Sequence, residues 1–115
     1  MRYVLLICAD QSATEAYSPE EAQASTEGYM KWMADAEAKG VLRGGERLRP
    51  TTDATTVRVR NGDTVTLDGP YAETKEQLGG YFIVDCKDLD EATQWAAGLP
   101  DAKTGSIEVR PIWEM

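Results

Sequence analysis

Four short apolar stretches of strand length, two well-capped amphipathic helices and one Asn-Gly turn predict an α+β fold. Their order along the chain is βαβ, an inserted β-hairpin, then βαβ. Without the hairpin this is βαββαβ, the split βαβ pattern of the ferredoxin-like fold. In that arrangement the first and third core strands lie at the centre of an antiparallel sheet, and both helices cover one face.

The opening strand, Tyr3–Cys8, is apolar on both faces, with Tyr3, Leu5 and Ile7 on one and Val4, Leu6 and Cys8 on the other. A polar loop follows. Ser18 then reads as a helix N-cap, Pro19 as the first helical residue, and Glu21 as the partner of Ser18 in a capping box. Ala22, Tyr29, Met33 and Ala36 recur at helical spacing, with Met30 and Trp32 flanking, until Gly40 stops the helix. Gly28 interrupts it at a cost of ~1 kcal/mol relative to alanine, which points to close packing against the sheet or to room for a ligand.

Val41–Leu48 reads as the second strand, bent or bulged at Gly44–Gly45. Beyond Pro50, Thr56–Arg60 and Thr64–Leu67 form a hairpin around Asn61–Gly62. The loop Asp68–Leu78 leads to Gly80–Cys86, again apolar on both faces. Asp88 caps a second helix with Glu91 at the capping-box position; Leu89, Ala92, Ala96 and Leu99 make its buried stripe, and Gly98 with Pro100 end it. Ser106–Ile112, alternating Ile107 and Val109 with Glu108 and Arg110, is the last strand.

The two central strands would each bury one face against the helices. Their second apolar face needs another cover, because an open apolar sheet face is an aggregation site. A second copy of the same sheet, packed face to face, supplies it, so the expected state is a homodimer.

At 115 residues the chain has room for one domain and one modest core. Its formal net charge of -8 disfavours nucleic acid, since Arg43, Arg47, Arg49, Arg58 and Arg60 are outweighed by acidic residues elsewhere. No membrane span is expected, because the apolar run Tyr3–Ala9 is far shorter than the ~20 residues a bilayer requires. Nothing resembles a targeting segment, and Cys8 and Cys86 read as separated, reduced thiols in a cytoplasmic protein. There is no histidine. That removes the commonest general base and every histidine-based metal or haem site, so no cofactor and no transition-metal site are expected.

The stretch DGPYAETKEQLGG, Asp68–Gly80, resembles the signature of the YCII-related family, in particular its DGPF subgroup, with tyrosine in place of phenylalanine. The resemblance extends to the opening strand, GVLRGGERL at Gly40–Leu48, ATTVRVRNGD at Ala54–Asp63 and IEVRPI at Ile107–Ile112. It implies a dimeric α/β-barrel-type assembly of ferredoxin-like subunits. Some members resemble small-molecule lyases such as dehydrochlorinases acting on aromatic compounds, and a histidine–aspartate pair is suggested for part of the family. This chain keeps the aspartate, Asp68, without the histidine. DGPF-type members are also associated with genes for extracytoplasmic-function sigma factors.

The candidate catalytic residues are Asp68, Tyr71 and Lys75. Asp68 is a base if burial raises its pKa, or a turn former whose carboxylate accepts backbone N–H bonds. Tyr71 is a hydrogen-bond donor to a ligand or a packing plug, and Lys75 an acid or polarising group. Glu73 and Glu76, with Lys75, orient a substrate or form a solvated charged loop. Arg110 faces away from Ile107 and Val109, where it holds a substrate carboxylate or forms a structural ion pair. Tyr29 lines a pocket or packs in the core. Two functions remain open on these residues: an acid–base catalyst of the lyase or isomerase type acting on a small molecule between subunits, and a non-catalytic ligand-binding or regulatory module.

Overall fold

The computed structural model describes all residues from Met1 to Met115. In chain order the elements are β1 (Arg2–Ala9), α1 (Gln11–Glu15), α2 (Pro19–Ala38), β2 (Leu42–Arg47), β3 (Thr55–Arg60), β4 (Asp63–Asp68), β5 (Gln77–Asp85), α3 (Leu89–Ala97) and β6 (Ser106–Pro111). Four strands form one sheet in the order β2-β5-β1-β6, every neighbouring pair antiparallel. With α2 and α3 as the two crossovers this is an α+β architecture compatible with the ferredoxin-like fold. β3 and β4 pair only with each other, as a separate two-stranded ribbon.

Local chemistry explains where the helices begin. The Ser18 hydroxyl accepts from the Glu21 N–H at 3.1 Å, and the Glu21 carboxylate accepts from the Ser18 N–H at 3.1 Å, the reciprocal capping box expected. At α3 the Asp88 carboxylate accepts from the Glu91 N–H at 2.9 Å. Glu91 returns the contact to the N–H of Lys87, at 3.3 Å, one residue before the cap. The five-residue α1 falls where a loop was expected; Asp10 caps it through the Ser12 N–H and hydroxyl, and none of its residues is buried, so it leaves no periodicity to read.

The buried stripes are shifted from those the sequence suggests. On α2 the buried residues are Trp32 and Ala36, with Tyr29 and Met33 packed beside them; Ala22 and Met30 are exposed. Trp32 is the centre of the stripe, not its flank. On α3, Ala92 and Ala96 are buried, as is Leu99 just beyond, but Leu89 is exposed and Trp95 takes its place. Gly28 does mark a close approach, though not to the sheet: a Cβ there would lie 2.9 Å from Cγ of Pro100. Asn61 and Gly62 both have positive φ, 53° and 82°, which suits the two-residue hairpin turn.

The core is one layer deep. Tyr3, Leu5 and Ile7 of β1 and Val84 of β5 meet the helices together with Cys86, Ala92, Ala96 and Leu99. Trp32 packs against Phe82 with the rings tilted by 39° and centroids 4.6 Å apart, and meets Trp95 edge-on at 5.8 Å; its Nε1 donates to the Trp95 carbonyl at 2.8 Å. Aromatic pairs of this kind add ~0.5–1.5 kcal/mol each beyond their buried area. The molecule is a slab of 48 × 43 × 18 Å. Its radius of gyration is 16.0 Å, against about 13 Å for a compact domain of this length. The second face of the sheet is uncovered.

Candidate functional site

Strand alternation sends Val4, Leu6 and Cys8 of β1 and Tyr81 and Ile83 of β5 to the open face, where all five are only partly exposed. The register sets Leu6 opposite both Tyr81 and Glu108, and Val4 opposite both Ile83 and Arg110. The face therefore has an apolar centre and a charged border on edge strand β6, as expected from Ile107 and Val109 packing toward the core.

The chemistry gathers at the end of the sheet around Cys8. There β1 lies between Leu78 of β5 and Ser106 of β6, after a register shift between Ile7 and Cys8. That shift, at Gly79, starts β5 at Gln77 and brings Glu76 to the sheet. Glu76 Oε1 accepts from the Ser106 hydroxyl at 2.7 Å, reaching from the β5 side across to β6. Glu108, next along the same face of β6, is ion-paired with Arg110. Burial pushes the Cys8 thiol up, and the negative charges of Glu108 and then Glu76 push it the same way. One half-buried thiol thus feels the charge of two carboxylates, one hydrogen-bonded to Ser106 and the other ion-paired with Arg110. Burial and charge both favour the neutral thiol over the nucleophilic thiolate.

The loop residues are placed unevenly. Lys75 is exposed, close enough for its charge to help hold the Asp10 carboxyl below the usual carboxylate range, where the Ser12 hydroxyl is the larger cause. Gln77 Nε2 donates to the carbonyls of Ala72 and Thr74, at 2.7 and 3.1 Å, folding the loop onto itself. Tyr71 is 82% exposed, and Glu73 is exposed with no side-chain partner. Asp68 ends β4 opposite Thr55, exposed, and its carboxylate accepts no hydrogen bond. The turn beside it is held by the Gly69 N–H on the Ala54 carbonyl at 2.8 Å and the Thr56 hydroxyl on the Gly69 carbonyl at 2.9 Å.

Tyr29 stands on the other side of the sheet. Its ring stacks with Phe82 at 6.4 Å and its hydroxyl donates to Asp101 Oδ2 at 2.5 Å; burial and that carboxylate both raise its pKa. It ties α2 to the turn after α3. No three cysteine or carboxylate side chains come together as a donor set for a metal ion, and no helix is long and apolar enough to cross a membrane.

The structure thus sets Glu76 on Ser106 and Arg110 on Glu108, both on edge strand β6, and leaves Lys75, Asp68, Tyr71, Glu73 and Tyr29 without a side-chain contact to them. The partner that sequence reasoning passes over is Ser106, and with it the reach of Glu76 across to β6. The alternation Ser106-Ile107-Glu108-Val109-Arg110 puts three polar groups on one face, which is the available signal.

The family model for the YCII-related domain matches residues 1–115. An uncharacterized protein of Rhizobium meliloti (strain 1021) is 44% identical over 118 residues, spanning 97% of this chain and 92% of that protein. With the whole chain matched and a relative this similar along its length, the chain belongs to the YCII-related family.

Proposed function

We propose that this protein is a DGPF-type member of the family that works in the cytoplasm as a face-to-face homodimer of the α/β-barrel type. In this reading it binds a small polar molecule in the cleft between the sheets. Acid–base chemistry there falls to Glu76 and Glu108. The observation that carries the reading is the placement of these two carboxylates at β6, Glu76 on Ser106 and Glu108 on Arg110, on the sheet face that a second copy would cover.

Covering that face would take the carboxylates out of bulk water, into surroundings where charged groups act more strongly on a bound ligand. Two carboxyl groups facing one cleft can share general acid and general base work, which suits a lyase or isomerase. Arg110 is the anchor for an anionic group on the ligand, exchanging its contact with Glu108 for a bidentate one. Asp68 has no part in this chemistry.

The test starts from native mass spectrometry of the purified protein to identify a co-purifying small molecule, whose binding is then measured by calorimetry. Arg110→Gln should weaken binding by about 10- to 100-fold, the loss of a charge-assisted hydrogen bond. Glu76→Gln and Glu108→Gln should abolish turnover while Asp68→Asn changes neither. Loss of binding in Asp68→Asn alone would move the site to the loop and sink this reading. Binding without turnover in the wild type would make the protein a ligand-binding regulator rather than an enzyme.

A further inference from the structure

The β3–β4 ribbon stands apart from the main sheet and is anchored only near its base. There the Gln11 side chain accepts from the N–H and hydroxyl of Thr51, at 3.2 and 2.8 Å, while the Gly69 N–H on the Ala54 carbonyl only closes the ribbon's own base. A two-stranded hairpin is at best marginally stable in water by itself. This one exposes apolar side chains on both faces: Val57 and Val59 are each 60% exposed, Val65 40% and Leu67 50%. The register sets Val57 opposite Thr66 and Val59 opposite Thr64. One face of the ribbon therefore carries Thr55, Val57, Val59, Thr64 and Thr66, with no charge between the turn and Asp68 at the base. Arg58 and Arg60 are on the other face.

We propose that this ribbon is an arm whose Val57–Val59 face closes on a second copy of the chain. The proposal rests on the homodimer of the preceding section and adds a second contact to it. Surface area argues for that occupant. The chain exposes 8191 Å², whereas a compact monomer of its mass exposes about 6,200 Å². The excess is about 2,000 Å², and an interface of ordinary size takes about 800 Å² from each partner. The sheet face accounts for one such contact, and the arm supplies the area for another. Charge argues the same way. A lipid headgroup or a phosphate backbone would be met by lysine or arginine, and the docking face has neither. In a two-fold pair each copy receives what it gives, so both arms are buried together. The arm is rooted beside Ala9 and Gln77, the end of the sheet that carries Cys8 and Glu76. Its closure would therefore wall the mouth of the cleft.

The experiment pairs two measurements on the full chain. Val57→Thr with Val59→Thr keeps the β-branched shape and the exposed fold while removing the apolar surface. Sedimentation should show its dimer dissociating at least about tenfold more readily than the wild type, with an unchanged circular dichroism spectrum. Hydrogen exchange at the Thr55–Asp68 amides should slow as wild-type concentration rises through the dimer transition, and stay fast in the variant. A wild-type dimer with a fast-exchanging arm and an unaltered variant affinity overturns the arm and leaves the sheet-face dimer standing. A wild type that stays monomeric overturns both.

Discussion

At the residue scale the two thiols report the charge and burial around them. Cys86 is buried at 2% exposure; desolvation first, and then Glu91, push its pKa from 9.0 up to about 11. A raised pKa means that the folded state favours the neutral thiol. The corresponding stability is complete below pH 9.0, the unfolded value, and is lost as pH rises toward about 11. Denaturant unfolding of the wild type and Cys86→Ala at about pH 8 and about pH 10.5 should show the gap between them narrowing at the higher pH. Cys8 feels Glu108 and Glu76 in the same sense. The influence of Glu76 is not legible in the sequence, because Glu76 reaches the sheet only through the shift at Gly79, which changes which residues oppose Cys8. Arg110 and Glu108 were legible together, since they are two apart on one strand.

Elements divide by how local their determinants are. The α2 capping box needs only Ser18 and Glu21, and it was readable. Ser18→Ala should cost ~0.5–2 kcal/mol, lowering the melting temperature by roughly 4–8 °C per kcal/mol in a domain of this size; differential scanning calorimetry measures it. The phase of the buried stripe was harder to read. Ala22 and Met30 are apolar residues on the exposed side of α2 and blur the periodicity, and only the contacts with Phe82 and Trp95 make Trp32 central. The hairpin turn was legible because two consecutive positive-φ residues suit Asn and Gly. That the hairpin leaves the sheet altogether was not, since strand pairing depends on distant residues.

For the whole molecule, the thickness of 18 Å is the governing fact. It corresponds to one sheet and one helical layer, with Val4, Leu6, Tyr81 and Ile83 on the unpacked side. The alternation of β1 and β5 foretold that arrangement. Leu6→Glu places a charge at the centre of this face and disturbs nothing in the helical core. Light scattering after gel filtration should give about twice 12.7 kDa for the wild type and one chain mass for the variant. A wild-type value of one chain mass at micromolar concentration would refute the dimer.

The placement of the three tryptophans has an optical consequence. Trp32 is 5% exposed and lies against Trp95, while Trp113, beyond the end of β6, is 88% exposed. The native protein should therefore show two emitting populations, a bluer pair within the helical layer and a red-shifted indole at the edge of the sheet. Iodide should quench the second more strongly than the first. Trp113→Phe would leave an intrinsic probe that sees the helical layer alone, with no added dye.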